Sequence, residues 1–512
     1  MTKYLIPKKN LPYNPDDINS VIKHAKKLEG STLRKASSKF YKHSKEHNKG
    51  RMGQLTEELY FFLKNNNSPE PDFKQIELEL KTAGLIETSH RDRHPNISGK
   101  WKAKEALPLS SINYNKIVNE KFSSSSFLKK NKKILLVLYK YEKLNALDRE
   151  IKLTGTLSFH DLPESDKEII KRDWELMKSK TKLGKAHDFS RGDFEYLELA
   201  PSNKTSSLTS QPFAPQKART RKYSFKQGFM HAVVGKLEKE KSNTLSINGF
   251  ERKNSSILTP PGKLEQEKSN TLSLYKKSDK NISLSDKIKE KFNSYLGQDV
   301  NSIASSLGVS IEECKHKFSI LSKRLLKAIF EVPENSKIES YIEEFSKAEI
   351  CIKTIRINSK NLPKEHMSFP AFKFQEIVNQ HWEASEFKNQ IDKKFLFIFF
   401  KEFESSYILD EVIYWNMPSS DIDEAKKVWE ITKKLLKKGK IVKELKNTNR
   451  YTYFPSPKSN SVSHVRPHAR NAKDTFFLPV KDQLTGLKEY TKHCFWLNKD
   501  YLKDEIYLKY KK

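Results

Sequence analysis

The sequence predicts a mixed α/β protein built from two related domains in tandem, each with a mixed sheet flanked by helices. Its 512 residues exceed what one hydrophobic core usually organises, which makes two domains or more the expectation. Strand patterns such as residues 77–85 alternate with helical patterns such as residues 17–27 and 167–178. The third observation is an internal duplication, because two distant stretches share residues in a constant register.

The duplication is clearest between residues 163–184 and 418–439, at a constant offset (418 − 163 = 255). The matching residues are Pro163/Pro418, Ser165/Ser420, Asp166/Asp421, Trp174/Trp429, Glu175/Glu430 and Gly184/Gly439. Each stretch predicts a helix that begins after a proline, turns its Trp inward and ends at a glycine. Gly30 and Gly297 follow the opening helix of each half, and residues 132–137 and 393–398 both predict a buried strand.

The boundary between the domains is predicted at residues 234–283, which are poor in aromatic residues and rich in Lys, Ser, Asn and Glu. They contain a local repeat, residues 235–246 and 262–273. Two copies without a core pattern cannot stack stably, so we expect a flexible or helical linker instead of a solenoid. The predicted domains are therefore 1–233 and 284–512, joined by a charged linker.

The composition points to a polyanionic partner. Lys+Arg 96 against Asp+Glu 64 gives a net charge of +32, spread along the whole chain, which favours nucleic acid. An anionic membrane is the competitor, but residues 1–10 lack a signal-peptide core and the apolar runs 134–139 and 395–400 are too short to span. Cys314, Cys351 and Cys494 are far apart, which indicates neither a disulfide framework nor a zinc site. We expect a soluble cytoplasmic protein with no membrane partner.

The first half contains a candidate magnesium site. In Glu79-Leu80-Lys81, the first and third side chains project from the same face of a strand. Asp72 precedes that strand, where a turn can bring its carboxylate beside Glu79, and hard oxygen ligands suit Mg²⁺. Lys81 would orient the attacking water and offset developing negative charge on a phosphodiester. Glu57 lies on a predicted helix, where Gly50 and Gly53 fall one turn apart and allow close packing.

The alternative is a charge pattern without chemistry. In so charged a chain, Glu-x-Lys arises by accident and most often forms a solvated face. A non-catalytic DNA-binding protein, with these residues in a surface salt-bridge network, therefore remains an open hypothesis.

Taken together, Gly50-x-x-Gly53-x-x-x-Glu57, Asp72-Phe73 and Glu79-Leu-Lys81-Thr82 resemble the MutH family of PD-(D/E)XK endonucleases. Further segments occur in the family's order over residues 16–234: Phe127-Leu-Lys-Lys130-Asn-Lys132, Arg172-Asp-Trp174, Glu195-Tyr196-Leu and Tyr223-Ser-Phe225-Lys226. With its related second half, the chain resembles the two-domain type II restriction endonucleases of that family, which cut GATC. The resemblance implies two tandem MutH-like domains of the PD-(D/E)XK restriction-endonuclease fold.

The resemblance also implies roles. Asp72 and Glu79 would be Mg²⁺ ligands, Glu57 a supporting carboxylate at the metal, Lys81 the catalytic lysine and Lys130 an active-site lysine near the DNA. It implies cleavage of double-stranded DNA 5′ of the G in GATC, leaving 5′-phosphates, with a cognate DNA methyltransferase as functional counterpart. One active site per chain makes a dimer on DNA plausible. The alternative within the family is a mismatch-repair nicking endonuclease that cuts one strand.

The DNA-reading segments of the first half depart from the family pattern at Ala200-Pro201-Ser202 and Tyr223-Ser224. The residues predicted to contact DNA in this half are Lys132, Pro201, Ser202, Lys204, Tyr223 and Lys226. Base contacts could come from Ser202, Asn203 or Lys204 or from the basic run 217–222, although such runs more often touch phosphate or stay solvated.

In the second half, Glu344-Phe345 and Cys351-Ile-Lys353-Thr354 stand where the first half has Asp72-Phe73 and Glu79-Leu-Lys81-Thr82. A neutral cysteine is a poor ligand for Mg²⁺, and no Gly-x-x-Gly-x-x-x-Glu precedes it, so we predict a pseudo-catalytic domain that does not cleave.

This half nevertheless keeps segments that resemble the family's DNA-reading loop, with DNA contacts predicted at Arg466, His468, Arg470 and Trp496. Arg466 suits the O6/N7 edge of guanine, and the alternative is a grip on phosphate alone. The resemblance to two-domain relatives implies that this half binds a second recognition site as an allosteric effector.

Overall fold

The computed structural model describes residues 3–37, 52–64, 68–89, 99–202, 207–253, 271–276, 278–279, 281–314, 317–446 and 449–511. Its α-helices are α1 (Ile18–Lys26), α2 (Leu33–Ala36), α3 (Met52–Leu55), α4 (Tyr114–Ile117), α5 (Ser126–Asn131), α6 (Glu164–Lys182), α7 (Gln227–Lys253), α8 (Leu284–Phe292), α9 (Val300–Ser306), α10 (Phe318–Ile329), α11 (Ile338–Tyr341), α12 (Glu343–Ala348), α13 (Phe374–Ile377), α14 (Glu386–Ile391), α15 (Ser419–Lys438) and α16 (Lys499–Tyr501). Two π-helical turns follow α3 and α16, at Thr56–Tyr60 and Leu502–Leu508.

The strands are β1 (Glu79–Glu87), β2 (Trp101–Ala103), β3 (Leu107–Ser111), β4 (Lys133–Lys140), β5 (Ile151–Ser158), β6 (Leu197–Pro201), β7 (Leu208–Thr209), β8 (Ala218–Arg219), β9 (Arg221–Phe225), β10 (Cys351–Ile357), β11 (Met367–Ala371), β12 (Lys394–Phe403), β13 (Ser406–Asn416), β14 (Val442–Lys446), β15 (Asn449–Thr452), β16 (Ser463–Pro467), β17 (Thr475–Phe477), β18 (Glu489–Thr491) and β19 (His493–Leu497). Single 3-10 turns lie at Lys8–Asn10, Lys74–Ile76, Phe122–Ser124, Ala146–Asp148, Phe159–Asp161, Ala186–Asp188, Arg191–Asp193, Glu312–Cys314 and Trp382–Ala384.

The chain divides into two compact units. The first comprises Met1–His187, Phe194–Leu284 and Ser340–Glu349, and the second comprises Asp188–Asp193, Ser285–Glu339 and Ile350–Lys512. The segments 188–193 and 340–349 thus belong to units that their sequence positions do not suggest. The domain boundaries drawn from composition at 234–283 stay a prediction.

The first unit contains a four-stranded sheet of order β2-β1-β4-β5. β1 runs parallel to β4, with Lys81 opposite Leu136, and β5 is antiparallel to β4. β4 is apolar and completely buried from Ile134 to Leu138, as expected for a central strand covered on both faces. A second, antiparallel sheet has the order β3-β9-β6. The mixed sheet with flanking helices that the sequence predicts is therefore present.

The second unit repeats these strand orders except at β2, which pairs with β1 and has no counterpart among the described strands of the second main sheet. Its main sheet is β10-β12-β13, in which β10 is parallel to β12, Lys353 lies opposite Phe397 and β13 is antiparallel to β12. Its second sheet is β11-β19-β16, antiparallel throughout. The buried strands predicted at 132–137 and 393–398 are confirmed as β4 and β12.

The paired helices are also confirmed. α6 begins after Pro163 and α15 after Pro418, and the side chains of Trp174 and Trp429 are buried. Each helix is followed by a glycine with positive φ, Gly184 at +69° and Gly439 at +63°, where a side chain would strain the backbone.

The predicted linker is partly helical, since α7 extends to Lys253 and includes the first copy of the repeat. Most of the second copy, residues 262–270, lies outside the described residues. No helix within the described part of the chain is long and apolar enough to cross a membrane. All three cysteines are free in this structure.

Candidate active site

A tight turn brings Asp72 to the start of β1. Phe73 and Leu78 exchange backbone hydrogen bonds of 2.8 and 3.1 Å across it. The Asp72 amide donates to Oε2 of Glu79 at 3.1 Å, and the Leu80 amide donates to Oδ2 of Asp72 at 3.0 Å. The predicted approach of Asp72 to Glu79 is therefore confirmed.

The strand begins at Glu79, whereas the apolar pattern predicted a start at residue 77. Glu77 has a φ of +51°, in the left-handed region, so it closes the turn instead of joining the ladder.

Two lysines approach the Glu79 carboxylate. Nζ of Lys81 lies 2.7 Å from Oε1 of Glu79, which confirms that both side chains project from one face of β1. Nζ of Lys130, from α5, lies 3.7 Å from the same oxygen and donates to the Ser68 carbonyl at 2.6 Å. The Glu79 side chain is only 3% exposed, whereas those of Lys81 and Lys130 are 20% and 17% exposed. Both ammonium groups thus border a buried carboxylate and still reach solvent.

Glu57 lies on the π-helical turn that follows α3. Gly53 allows α3 to lie against β1, because a Cβ at this position would meet Oγ1 of Thr82 at 3.3 Å. Burial, and then the Asp72 charge, raise the pKa of Glu57 to about 7. Gly50, the other glycine of the motif, lies outside the described residues.

The structure does not assemble the three carboxylates as a ligand set. Among the residues with described positions, no three His, Cys, Asp or Glu side chains are close enough to hold a metal ion. Glu57 is linked to the Asp72/Glu79 pair by charge, since the charges of both residues raise its pKa.

The donor chemistry nevertheless fits a hard divalent cation. Burial, and then the Glu79 charge, raise the pKa of Asp72 to about 6. A carboxyl group shifted in this direction has too little positive charge nearby for its ionised form. Mg²⁺ would supply that charge and prefers carboxylate oxygens, so Asp72 and Glu79 are the residues that would hold it.

Lys3 also contacts this site and was not recognised in the sequence. Its Nζ donates to the carbonyl of Pro71, next to Asp72, at 2.7 Å. Its carbonyl accepts from the Lys64 amide at 2.9 Å, and the Leu5 amide donates to Phe62 at 2.7 Å. Nothing in the sequence signals this role, because Lys3 is far from the motif and reaches it only through backbone pairing.

The predicted DNA contacts of the first half have different surroundings. Lys132 is ion-paired with Glu77 at 2.9 Å. Pro201 is exposed at the end of β6, and the amide of Ser202 donates to Thr220 at 3.1 Å. Lys204, with Asn203, lies outside the described residues. DNA contact by these four residues stays a prediction.

Two of the predicted contacts need correction, because Tyr223 and Lys226 are 2% and 1% exposed. The Tyr223 ring packs against Phe127, with a centroid distance of 4.8 Å. Nζ of Lys226 donates to the carbonyls of Phe194 at 2.6 Å and Ala348 at 3.3 Å. Both side chains stabilise the interior of the first unit, and in this structure neither can reach DNA.

The counterpart of this site in the second half is built differently. Glu344, in place of Asp72, is buried and accepts hydrogen bonds from Oγ of Ser273 at 2.5 Å and the Leu274 amide at 3.0 Å. Cys351, in place of Glu79, has its pKa raised by burial, which keeps the thiol neutral. Neither residue presents a free anionic oxygen for a metal.

Two of the predicted DNA-reading residues of the second half, Arg466 and His468, lie against the indole ring of a third, Trp496. Arg466, at the end of β16, has its guanidinium carbon 5.0 Å from the ring centroid of Trp496 on β19. The His468 ring meets the same indole edge-on at 5.4 Å. Arg466, His468 and Arg470 are exposed, and Trp496 is half-buried. Arg466 is thus held by stacking and remains accessible.

Comparisons with known proteins identify relatives of this chain. The family model described as "DNA mismatch repair enzyme MutH" matches residues 61–173, which include Asp72, Glu79, Lys81 and Lys130. The chain is 31% identical over 486 residues to the type II restriction enzyme Sau3AI of Staphylococcus aureus. That alignment covers 88% of this chain and 91% of the staphylococcal enzyme.

Proposed function

The chain belongs to the family of type II restriction endonucleases that includes Sau3AI and carries a MutH nuclease domain, and we propose that its first half hydrolyses double-stranded DNA. The proposed site is GATC, cut 5′ of the G to leave 5′-phosphates. One observation carries the proposal: Asp72, Glu79 and Lys81 meet at the start of β1, with Glu79 and Lys81 at 2.7 Å.

The residues divide the chemistry between them. Asp72 and Glu79 would hold Mg²⁺, which supplies Lewis acidity at the scissile phosphate. Lys81 orients the attacking water and stabilises the negative charge that develops on the phosphate oxygens. Lys130 adds a second ammonium group at the Glu79 carboxylate, 3.7 Å away. Glu57 adds negative charge near the pair and raises the affinity of the site for a cation.

The second half is proposed to be a MutH-like domain that reads DNA without cutting it. Its strand order supports the MutH-like assignment, and the engagement of Glu344 with Ser273 and Leu274 supports the lack of cleavage. The exposed Arg466 stacked on Trp496 supports base reading. Binding of a second GATC copy by this half would activate the first half.

The wider setting is proposed on the same basis. The enzyme would act in the cytoplasm beside a cognate DNA methyltransferase that protects host DNA. Since one chain has one proposed cutting site, two chains on DNA, or two visits by one chain, would sever both strands.

Digestion of unmethylated plasmid with and without Mg²⁺, followed by sequencing of the ends, tests the proposal. Asp72→Ala and Lys81→Ala should each abolish cleavage while DNA binding survives, and Lys437→Met, an exposed lysine on α15, should cut normally. Robust Mg²⁺-dependent cleavage by either active-site variant would refute the site assignment. Nicked circles as the final product would favour the mismatch-repair alternative, and binding without cleavage would favour a non-catalytic protein.

A further inference from the structure

A basic cleft lies between β10 and β11 of the second unit. Its volume is about 210 Å³, and its polar lining residues are Lys353, Thr354, Arg356, Lys364, Glu365, His366 and Ser368. Lys353 stands in the second half where the first half has Lys81.

Lys353 has the same register position in its sheet as Lys81, but the residue in the position of Glu79, the ion-pair partner of Lys81, is Cys351. Lys81 lies opposite Leu136 in the parallel pair β1/β4, and Lys353 lies opposite Phe397 in the parallel pair β10/β12. Lys81 is ion-paired with Glu79, whereas the residue two positions before Lys353 is the neutral Cys351. Lys353 has no carboxylate within ion-pair distance among the residues whose positions are described.

The other charges of the cleft are largely balanced. Arg356 is paired with Glu365 at 2.8 Å, and Lys364 with Glu402 at 2.8 Å. Among the described residues that line the cleft, the half-buried Lys353 is therefore the cation without a paired carboxylate. An anion placed here would meet an ammonium group that forms no ion pair with any carboxylate of the described residues, and a hard cation such as Mg²⁺ would find only a poor ligand in the Cys351 thiol.

We propose that this cleft binds a phosphate of the DNA backbone without any metal, with Lys353 as the residue that supplies the charge. The inference rests on the proposed DNA binding by the second half and specifies how its degenerate site takes part. The replacement of the Glu79 carboxylate by Cys351 then has two effects: no Mg²⁺ is held, and Lys353 is available to bind the phosphate.

The test is equilibrium binding of the full chain to DNA in EDTA at several salt concentrations, with a GATC duplex and a duplex of equal length lacking GATC. Lys353→Met should weaken both complexes by a similar factor and lower the slope of log K against log salt by about 0.9, the value for one phosphate. Lys353→Arg should retain wild-type binding. Lys437→Met serves as the charge-matched control, because Lys437 does not line the cleft.

A second pair of variants leaves the lysine in place. Cys351→Glu should recreate the Glu79–Lys81 pairing and weaken binding in EDTA as Lys353→Met does. Cys351→Gln, of similar size but uncharged, should bind as the wild type does. Thermal unfolding of each variant establishes that it is folded.

Unchanged affinity and slope in folded Lys353→Met would overturn the inference, as would an equal loss in Lys437→Met, which would show only a general charge effect. Competition with inorganic phosphate separates the two sources of this chemistry. If Lys353→Met abolishes phosphate binding and leaves DNA binding unchanged, the cleft takes the free anion and the DNA assignment is wrong. These binding measurements are made in EDTA and do not depend on cleavage. If the protein showed no Mg²⁺-dependent cleavage, the proposed function of the first half would be wrong, but the conclusion about phosphate binding at Lys353 would be unaffected.

Discussion

Asp72 shows how one residue links the proposed chemistry to stability. Its pKa is raised to about 6 by burial and Glu79, so the folded protein binds this proton more tightly than the unfolded chain does. The stabilisation is complete below the ordinary carboxyl pKa and is lost as pH rises through about 6. The pKa of Glu57 is raised to about 7, so its stabilising contribution is likewise lost as pH rises through about 7.

In the metal-free protein, the contribution of the Asp72 carboxyl group to thermal stability should therefore be lost between about pH 5 and pH 8, and Asp72→Asn should remove this part of the pH dependence. At pH 8, the melting temperature of Asp72→Asn should exceed that of the wild type by roughly 2–4 °C. Thermal scans in EDTA measure it. Asp148→Asn is the control, because Arg34 lowers the pKa of Asp148 and its contribution stays constant over this range. Equal pH slopes for wild type and Asp72→Asn would contradict the prediction.

Lys3 is expected to act as a positioning residue for Asp72. It holds the Pro71 carbonyl at 2.7 Å, so its loss should displace the Asp72 carboxylate without removing any proposed ligand. Lys3→Met should lower the single-turnover cleavage rate by roughly tenfold to a hundredfold and leave the affinity for DNA nearly unchanged.

Lys3→Arg keeps a donor and should recover most of the rate, and the exposed Lys9 supplies a control as Lys9→Met. A parallel fall in DNA affinity, or no recovery with arginine, would argue against positioning.

At the scale of elements, Gly228 shows how the segment 340–349 is built into the first unit. A Cβ on Gly228, in α7, would lie 2.1 Å from the backbone carbonyl oxygen of Ser346, in α12. The Gly228 amide donates to Oε1 of Glu349 at 3.0 Å, and Lys347 forms a buried ion pair with Asp166 at 2.6 Å. The close approach of the two helices thus depends on the missing side chain.

Gly228→Ala should destabilise the first unit by about 1–3 kcal/mol, the usual effect of overpacking against a backbone atom. Hydrogen exchange should show lost protection in residues 342–349 ahead of the rest of the unit. Gly84→Ala is the matched control, since a Cβ there would meet its neighbours at an ordinary 3.5 Å. Undiminished protection of 342–349 in Gly228→Ala would show that the segment is held in another way.

Elements with strong local signals could be predicted from the sequence. α6 and α15 carry a proline start, an inward Trp and a glycine end, and all three signals act within one helix. Asp72, Glu79 and Lys81 could be placed together because a turn and a strand period suffice. In contrast, Lys226 resembled a surface cation and is buried, since its acceptors on Phe194 and Ala348 come from distant segments. The same holds for Lys3, whose position depends on pairing with residues 62–64.

At the scale of the whole molecule, the two units share the strand orders of their sheets apart from β2, and they differ in their chemistry. The first has the carboxylate pair and its lysines, whereas the second has a neutral thiol and an exposed, stacked Arg466. The net charge of +32 gives both units affinity for a polyanion, so selectivity must come from particular residues. A division of labour between cutting and reading predicts that cleavage depends on how many sites the enzyme engages.

Cleavage should be faster on DNA with two GATC sites than on DNA with one, and a short GATC duplex added in trans should accelerate the one-site reaction. Arg466→Ala should raise the concentration of that duplex needed for half-maximal acceleration by roughly tenfold or more, since a bidentate arginine–guanine contact contributes about 1–3 kcal/mol. Initial rates over a titration of the duplex give this value. Arg450 is an exposed arginine on β15, and Arg450→Ala should respond as the wild type does.

If Arg466→Ala cuts one-site and two-site DNA at wild-type rates, the second half is not an effector that recognises DNA through Arg466. A loss of acceleration with a normal one-site rate would instead locate second-site recognition in the second half and leave the cutting to Asp72, Glu79 and Lys81.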